Sequence, residues 1–402
     1  MISVPEAIRI VLKETRALPA ERVALAAARG RILAEEIIAD SDLPPFDRAQ
    51  MDGYAVRAED TRALPARLRI VGESAAGRGW HEELRAGQAV RIMTGAPVPA
   101  GADSVQKVEV TSETEDGGTV EIAETSAPGQ FIVRRASEVS AGQVVLRPGE
   151  EINAAMMAAL ASFGYARLSV GGRPRVAVLA TGSELVAVEE RPGADQIRDS
   201  NSYSLGAYAE LAGALVERLP LAGDDPELLK REITAAAARS DALILSGGVS
   251  MGVYDFTKTA LRQLGAEVFF ERVSLRPGKP TVFARLGGAL VFGLPGNPVS
   301  VSVTFNLFAR TALRAMQGSA QAQMSEQWAV LARSVKGSLE RASYLPAELR
   351  TDAAGQLLAE PLKWGGSSDF VAFARASALV IVPQGAGSLA AGECVRVVRL
   401  PG

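Results

Sequence analysis

The chain has 402 residues, 48% of them hydrophobic and 22% charged, which allows two to four globular domains with a substantial core. Its formal net charge of −3 gives no electrostatic reason to expect nucleic acid or an anionic membrane as a partner. The chain has one cysteine, Cys394, which excludes an internal disulfide bond, and one histidine, His81, which excludes a multi-histidine zinc site and a nucleophile paired with a second histidine. Both residues are interpreted as structural. Since the N-terminus lacks a basic region followed by an apolar core, and no run of about 18 apolar residues occurs, we expect a cytoplasmic protein without a membrane span.

The first part of the chain is predicted to form a short helix followed by β-rich segments. Ser3-Val4-Pro5-Glu6 is a capping-box pattern with a proline in the first turn, so a helix should begin there. Residues 23–38 favour two short elements, and residues 42–56, with adjacent prolines and an Asp-Gly pair, favour a loop and turn. From residue 68 to about 135, short alternating runs separated by Gly and Pro are typical of a small inserted β domain. An Ala/Met-rich helix is expected at 151–163.

Residues 175–318 alternate strand and helix patterns, which predicts a doubly wound, mostly parallel α/β domain of three layers. Its last helix has the clearest signals: Asn297 as cap, Pro298 at the first position and Gly318 after the end. The tail returns to β runs, so the fold class is α/β plus β, with a C-terminal β-barrel-like domain. The expected domains are an N-terminal helix packed on the α/β domain (1–22), a linker domain (23–40 and 139–173), an inserted β domain (41–138), the α/β domain (174–318) and the C-terminal domain (325–402).

Three loops of the α/β domain follow predicted strands, at the sheet edge where ligands of such domains bind. They contain Thr181-Gly182-Ser183-Glu184, Ser246-Gly247-Gly248 and Pro295-Gly296-Asn297-Pro298. Glycine-rich backbone can approach an anion closely, and a helix N-terminus favours phosphate-like groups. Arg276 and Lys279 add cations on a proline-stiffened turn. The loops therefore predict an oxyanion site.

Acidic side chains are expected beside this site, and each also has a plainer interpretation. Glu184, Asp224 and Asp255 could hold a divalent metal such as Mg²⁺ against a bound phosphate. Asp255 could instead cap a helix, and capping is favoured over catalysis for Asp224, which precedes Asp225-Pro226 at a helix start; Glu184 could be a first-turn helix acid. Asp52 could have no role beyond shaping an Asp-Gly turn, and Lys279 could be a solvated turn residue. No one of these residues decides between the interpretations.

Seven motifs taken together resemble one family. In chain order they are LPPFDRAQMDGYAV at 43–56, MTGAPVP at 93–99, TGSEL at 181–185, IRDSN at 197–201, SGGVSMG at 246–252, RPGKP at 276–280 and GLPGNPVS at 293–300. Their order is that of molybdopterin molybdenumtransferase, the MoeA family, which is related to the C-terminal domain of gephyrin. The resemblance runs from the first helix to the last strand.

The resemblance implies an enzyme of the final step of molybdenum cofactor synthesis. The family takes adenylylated molybdopterin and molybdate, inserts the metal at the pterin dithiolene and releases AMP with the assistance of Mg²⁺. The domain at 174–318 would then bind molybdopterin, and a molybdopterin adenylyltransferase would be the upstream partner. A homodimer is implied, with the active site between the α/β domain of one subunit and the inserted β domain of the other.

The resemblance also assigns roles to positions of this chain. The implied catalytic acids are Asp52, Glu184, Asp224 and Asp255, of which the last three would bind the metal. The implied substrate-binding residues are Thr94, Gly182, Ser183, Ser246, Gly247, Gly248, Ser250, Lys258, Arg276, Lys279, Pro280, Pro295, Gly296, Asn297 and Pro298.

Two segments depart from the family pattern. Residues 135–138 read Arg-Ala-Ser-Glu where the family often has Arg-Gly-Glu-Asp, so Glu138 replaces an expected aspartate. Val253 and Tyr254 replace polar residues, which should make the pocket edge more apolar. Two other functions stay open: a molybdopterin adenylyltransferase, which shares the α/β domain, and a non-enzymatic scaffold. The flanking β domains and the MDGYA segment favour metal insertion.

Overall fold

A computed structural model describes residues 1–223, 225–248 and 256–401 of the chain. The chain divides into two compact units. The first comprises Met1–Glu35, Arg147–Met157 and Ala166–Gly402, and the second comprises Glu36–Leu146 and Ala158–Tyr165. Within the described ranges, no helix is long and apolar enough to cross a bilayer.

The first unit contains a six-stranded sheet whose first four strands are parallel. In spatial order its strands are Leu215–Arg218, Arg175–Ala180, Ala242–Ser246, Ala289–Leu294, Val282–Leu286 and Glu267–Phe270, the last two antiparallel to their neighbours. The interior strand Ala242–Ser246 is buried along its whole length, as its continuous apolar run predicts. The mostly parallel α/β architecture is therefore confirmed.

Helices cover both faces of this sheet. Along the strand Arg175–Ala180, Val176 and Val178 pack into one apolar cluster, whereas Ala177 and Leu179 pack into another, because successive side chains of a strand point to opposite faces. The helices are Val4–Glu14, Asn201–Leu211, Pro226–Arg239, Phe256–Gln263 and a last helix that begins at Pro298. The predicted three layers are present.

The N-terminal helix begins where the sequence predicts. Ser3 is its N-cap, and the Ser3 hydroxyl oxygen accepts a hydrogen bond from the Glu6 N–H at 3.3 Å. Ala7 and Val11 are fully buried in the same apolar cluster as the sheet residue Val176. The capping pattern therefore starts the helix, and its apolar stripe attaches it to the α/β domain.

The last helix is interrupted by one wider turn. It runs through Pro298–Thr304, a π-helical turn Phe305–Ala309, and Arg310–Met316. Asn297 stands at its N-cap, but the Asn297 side chain caps no helix N–H; its Nδ2 instead donates to Ser367 Oγ at 2.9 Å. The predicted cap position is thus right, and the predicted side-chain role is wrong, because the amide is engaged by the C-terminal domain.

The C-terminal domain is a closed barrel. Its strands are Glu326–Leu331, Ala342–Thr351, Leu357–Pro361, Ala378–Val382 and Cys394–Arg399. The long strand Ala342–Thr351 closes the ring because it pairs with both Leu357–Pro361 and Ala378–Val382. The short strand Leu275–Arg276 pairs in parallel with the beginning of Ala342–Thr351, which fixes the 276–280 turn against the barrel.

The second unit is built on another six-stranded sheet. Its strands, in spatial order, are Ser104–Lys107, Gly53–Val56, Gln88–Ile92, Ala66–Ser74, Thr119–Ile122 and Thr111–Glu113. The prediction of a loop through residues 42–56 is wrong for Gly53–Val56, which is an interior strand. A Cβ at Gly53 would collide with the Gln106 carbonyl oxygen. The glycine therefore marks a close approach of two strands rather than a turn.

The remaining elements are short. They are the strand pairs Ala20–Ala24 with Arg167–Gly171, Ile37–Ile38 with Val144–Leu146, Arg48–Ala49 with Ile132–Val133, Leu185–Val186 with Ile197–Arg198 and Val335–Lys336 with Ser388–Leu389, the helices Ala154–Ser162 and Phe370–Phe373, and the 3₁₀ turns Leu25–Ala27, Ala58–Thr61 and Val108–Val110.

A charged cluster on the second unit makes its stability depend on pH. Arg91 Nε donates to Glu113 Oε1 at 2.7 Å, and the Tyr54 hydroxyl donates to the same oxygen. The Arg91 hydrogen bonds, and then the one from Tyr54, lower the pKa of Glu113 to about 2. A lowered carboxyl pKa stabilises the folded state above the unfolded value and loses that stabilisation as the pH falls through the folded value. This stabilisation is therefore lost as the pH falls from about 4.5, the pKa of Glu113 in the unfolded chain, to about 2, its pKa in the folded protein.

We expect the melting temperature of Glu113→Gln to fall less steeply than that of the wild type over this acidic range. Thermal melting followed at a series of pH values measures the difference. Glu83→Gln is the matched control, since Glu83 is exposed in the same unit and makes no ion pair among the described residues. Parallel curves for Glu113→Gln and the wild type would contradict the assignment.

Ala136 is in a left-handed backbone conformation, with φ +60°. A side chain there costs about 1–2 kcal/mol. Ala136→Gly should raise the free energy of unfolding by about 0.5–1 kcal/mol, since glycine relieves the strain but loses more chain entropy on folding. Urea unfolding measures the change. Ala123→Gly, at an exposed position of the same unit without a positive φ, should lower it by a similar amount.

Candidate active site

A cleft of about 1280 Å³ opens in the first unit between the strand-end loops of the α/β domain and the C-terminal barrel. Its α/β side is formed by residues 181–184, 247–248, 276–280 and 295–297, together with Ser300. These include the three loops that the sequence singled out, and they follow the carboxyl ends of strands that are neighbours in the sheet. The structure therefore brings the three loops and the proline-rich turn to one place, because parallel strands end at one edge.

The first loop presents the only acid among the described residues that line the cleft, Glu184. Glu184 is exposed, and its carboxylate lies over Gly182, where a Cβ would collide with it. The chain continues as the strand Leu185–Val186, not as a helix. The interpretation of Glu184 as a first-turn helix acid is therefore wrong.

The second loop has a backbone conformation that favours glycine at two positions. Gly247 has φ +98° and Gly248 φ +63°; a Cβ would strike the Thr181 carbonyl oxygen at the first position and the Thr257 hydroxyl at the second. Thr257 Oγ1 donates to the Gly247 carbonyl at 3.1 Å. The loop backbone thus lines the cleft without intervening side chains.

Ser246, predicted to bind substrate, does not line this cleft. It is 2% exposed, and its hydroxyl accepts a hydrogen bond from Asn201 Nδ2 at 2.9 Å. Asn201 Nδ2 also donates to the Gly296 carbonyl at 2.7 Å, so Asn201 ties the second loop to the third. In this structure the Ser246 hydroxyl therefore bonds Asn201 at the base of the loops.

The proline-rich turn carries two cations, Arg276, whose side chain is fixed by a hydrogen bond, and Lys279, whose side chain is not. Arg276 Nη1 donates to the Gly337 carbonyl at 2.9 Å, which holds that guanidinium against the barrel. Gly278 permits a positive φ of +114° where a Cβ would collide with Thr304. The Lys279 carbonyl accepts from Val273 N and Thr281 N, whereas its ammonium has no hydrogen-bond or carboxylate partner among the described residues. Of the two cations on this turn, Lys279 is therefore the one that no protein group restrains in the described part of the chain.

The third loop gives Pro295, Gly296 and Asn297 to the cleft wall. Pro298, at the first position of the helix and also predicted to bind substrate, does not line the cleft, whereas Ser300 does. Lys258 is 8% exposed and also does not line the cleft. Three predicted site residues, Asp224, Ser250 and Asp255, and the departures Val253 and Tyr254, lie outside the described residues.

The barrel supplies residues that sequence reasoning missed. They are Arg333, Lys336, Arg341, Lys363 and Ser367. They come from strand ends and loops with no shared motif or spacing, so no local signal marks them, and only closure of the barrel places them opposite the α/β loops. Asp369 fixes the loop that carries Ser367: its carboxylate accepts from Gly365 N at 2.7 Å and Ala372 N at 3.1 Å. These two bonds, the first more strongly, lower the pKa of Asp369.

The cleft is strongly cationic. Among the described residues that line it there are six cations, against Glu184 alone: Arg276, Lys279, Arg333, Lys336, Arg341 and Lys363. Arg333 is paired with Glu360 beyond the wall. In the described part of the chain no group of three acidic, histidine or cysteine side chains could hold a metal ion by itself. The arrangement suits a large ligand with several negative oxygens.

Asp52, another predicted site residue, lies in the second unit. Its Oδ1 accepts hydrogen bonds from Thr94 N at 2.6 Å and Thr94 Oγ1 at 2.7 Å, so these two predicted residues are brought together. The backbone bond, and then the hydroxyl bond, lower the pKa of Asp52, and the carboxylate is kept ionised. In the same unit Glu138 pairs with Arg48 at 3.1 Å, with both side chains exposed.

Fold and cleft together define a class of multidomain α/β proteins with a cationic cleft at strand-end glycine loops. Family descriptions match nearly the whole chain: "MoeA N-terminal region (domain I and II)" at residues 2–164, "Probable molybdopterin binding domain" at 177–315 and "MoeA C-terminal region (domain IV)" at 328–400. The chain is 35% identical to the molybdopterin molybdenumtransferase of Haemophilus influenzae over 94% of this chain and 93% of the relative, and 35% identical to that of Bacillus subtilis over 99% and 94%.

Solved structures agree. Two crystal structures of the molybdopterin biosynthesis MoeA protein from Pyrococcus horikoshii cover this chain and their own chains completely, with TM-scores of 0.82 and 0.86 at 32% and 28% identity. The chain belongs to the molybdopterin molybdenumtransferase family, and the family resemblance and the fold class inferred from sequence are confirmed.

Proposed function

We propose that the protein inserts molybdenum from molybdate into adenylylated molybdopterin and releases AMP, which completes the molybdenum cofactor. The observation that carries this proposal is the cleft in which glycine-loop backbone and six cations surround a single described carboxylate. Molybdate and the pyrophosphate of an adenylylated pterin are both multiply charged oxyanions. A cleft of this charge and size accommodates the two together.

The cations would divide the work of binding. Arg276 and Arg341 are each fixed by a hydrogen bond to a backbone carbonyl, at 2.9 Å and 3.3 Å, which pre-orients their guanidinium groups toward the cleft. Lys279, whose ammonium is unpartnered among the described residues, would supply a mobile charge that follows the oxyanion as it reacts. The two fixed arginines are preorganised donors, which stabilise charge that develops in a transition state.

Mg²⁺ would be held by Glu184 together with Asp224 and Asp255, as the family resemblance implies. Carboxylate oxygens are the donors this ion prefers, and Glu184 stands on the cleft wall, so the residue type fits. When bound, the ion would neutralise the pyrophosphate and polarise it for attack at phosphorus. The molybdenum ligands would be the dithiolene sulfurs of the substrate, so the scarcity of histidine and cysteine is no obstacle.

Asp52, held by hydrogen bonds from Thr94, would contribute a further ionised carboxylate from the inserted β domain. The active protein would be a homodimer located in the cytoplasm. A molybdopterin adenylyltransferase would supply the substrate. Asp52 is suited to its role because its hydrogen bonds from Thr94 fix the carboxylate and lower its pKa.

The test is turnover by the purified protein with adenylylated molybdopterin, molybdate and Mg²⁺. We expect AMP to be released in proportion to the molybdenum inserted. Glu184→Ala should keep the melting temperature of the wild type but release AMP at least about tenfold more slowly, since an exposed carboxylate contributes little to stability and much to metal binding. Unaltered AMP release would remove Glu184 from the mechanism.

A second assay distinguishes the proposed activity from the main alternative, that of a molybdopterin adenylyltransferase. Incubation with molybdopterin, Mg²⁺ and labelled ATP, without a partner protein, should leave the pterin unlabelled. Efficient adenylylation would overturn the proposal. A non-enzymatic scaffold would be inactive in both reactions.

A further inference from the structure

A second cavity of about 580 Å³ lies in the first unit, and no residue lines both it and the cleft. Its walls come from the end of the last helix, the chain that follows, residues 149–156 and the chain end after the last strand. We propose that this cavity binds a small molecule bearing a phosphate or carboxylate group, held between Arg310 and Arg314. This inference is independent of the proposed function.

Two like charges on one helix face mark the cavity. Arg310 and Arg314 are four residues apart in the helix Arg310–Met316, so their side chains lie side by side. Arg314 is only 6% exposed, and charged side chains are almost never buried unless paired. Both guanidinium groups stay charged at neutral pH.

The surrounding residues compensate only part of this charge. Arg314 Nη2 pairs with Glu151 Oε2 at 2.6 Å, but Arg314 Nε is buried without any hydrogen-bond partner. In the described ranges, Arg310 makes one hydrogen bond, of 3.3 Å from Nη1 to the Ala322 carbonyl, and has no carboxylate within ion-pair distance. Burial, and then the charge of Arg314, lower the pKa of Arg310. A buried charge without its counterion is costly, and a bound anion would remove that cost.

Other groups around the cavity favour the same ligand. Arg399 lines it and makes no ion pair among the described residues. Asn153 accepts from Met156 N at 2.9 Å through its carbonyl oxygen, which leaves its amide N–H groups for a ligand. Among the described residues that line the cavity, three arginines stand against two acids, Glu150 and Glu151.

The cavity walls are also fixed to one another. Gly149, at φ +92°, approaches Ala320 so closely that a Cβ would strike the Ala320 side chain, and Ala320 N donates to the Gly149 carbonyl at 3.0 Å. This contact locks the 149–156 segment to the chain after the last helix. The volume is within the range of small-molecule sites and exceeds that of a bare oxyanion, so the oxyanion would be one end of the ligand.

The experiment is calorimetric titration of the purified full chain with inorganic phosphate and, separately, citrate, with chloride at equal ionic strength as reference. We expect two classes of phosphate site. Arg310→Gln should weaken the second-cavity class by about tenfold or more, and Lys279→Ala should affect only the cleft class. Tighter binding of phosphate points to a phosphate-bearing ligand, and tighter binding of citrate to a carboxylate.

Two further variants keep the proposal testable if Arg310→Gln fails to fold. Glu151→Gln removes the competing carboxylate and should tighten second-cavity binding severalfold, whereas Arg399→Gln, at an exposed position, should weaken it. The proposal is overturned if Arg310→Gln binds like the wild type, if Lys279→Ala abolishes all phosphate binding, or if neither Glu151→Gln nor Arg399→Gln changes the affinity.

Discussion

Lys279→Ala is expected to lower the rate of AMP release by about 10²- to 10³-fold without unfolding the protein. The ammonium of Lys279 faces the cleft without a partner among the described residues, so its loss breaks no internal contact. A charge about 4 Å from an oxyanion contributes about 4 kcal/mol in the environment of a protein surface, and each 1.36 kcal/mol is about tenfold in rate. Single-turnover AMP release, with thermal melting alongside, measures both quantities.

Lys13→Ala is the matched control for this change. Lys13 is 73% exposed on the N-terminal helix, outside the residues that line the cleft, so its variant should turn over like the wild type. Lys279→Arg should recover part of the activity because it keeps the charge. A rate for Lys279→Ala within about threefold of the wild type, below the smallest expected electrostatic effect, would refute the assigned role.

Gly247→Ala is expected to destabilise the protein by about 2–4 kcal/mol and to abolish oxyanion binding in the cleft. The added Cβ would meet the Thr181 carbonyl oxygen at a backbone angle that favours glycine, so strain and overpacking both act. The loop must then move, and its backbone N–H groups with it. Urea unfolding and molybdate titration measure the two effects.

Gly288→Ala separates this steric effect from the general consequence of losing a glycine. Gly288 belongs to the same domain, lacks a positive φ and has no atom within 4 Å of an added Cβ. Its variant should be as stable as the wild type or more stable by up to about 1 kcal/mol. Equal stability of the Gly247 and Gly288 variants would show that the second loop tolerates a side chain.

Local patterns predicted the α/β domain well because each depends on neighbours in sequence. Ser3 caps the first helix, and the apolar run at 242–245 becomes the buried interior strand. Predictions from local sequence were wrong where the role of a residue is set by contact with a residue distant in sequence. The Gly53 signal, read as a turn, reflects the close approach of the Gln106 carbonyl, and the Asn297 side chain binds Ser367 instead of its helix.

The sequence by itself determined the family, the order of the domains and the three glycine loops at the carboxyl ends of the strands. Contiguous motifs identify the family and the loops, and apolar periodicity indicates the order of the domains. Only the tertiary structure decided which of those residues face the cleft. It turned Ser246 inward to Asn201, left Lys279 accessible, and brought Arg333, Lys336, Arg341 and Lys363 from the barrel to the opposite wall. The physical reason is that long-range strand pairing closes the barrel and sets these side chains across the cleft, and no local pattern encodes that pairing.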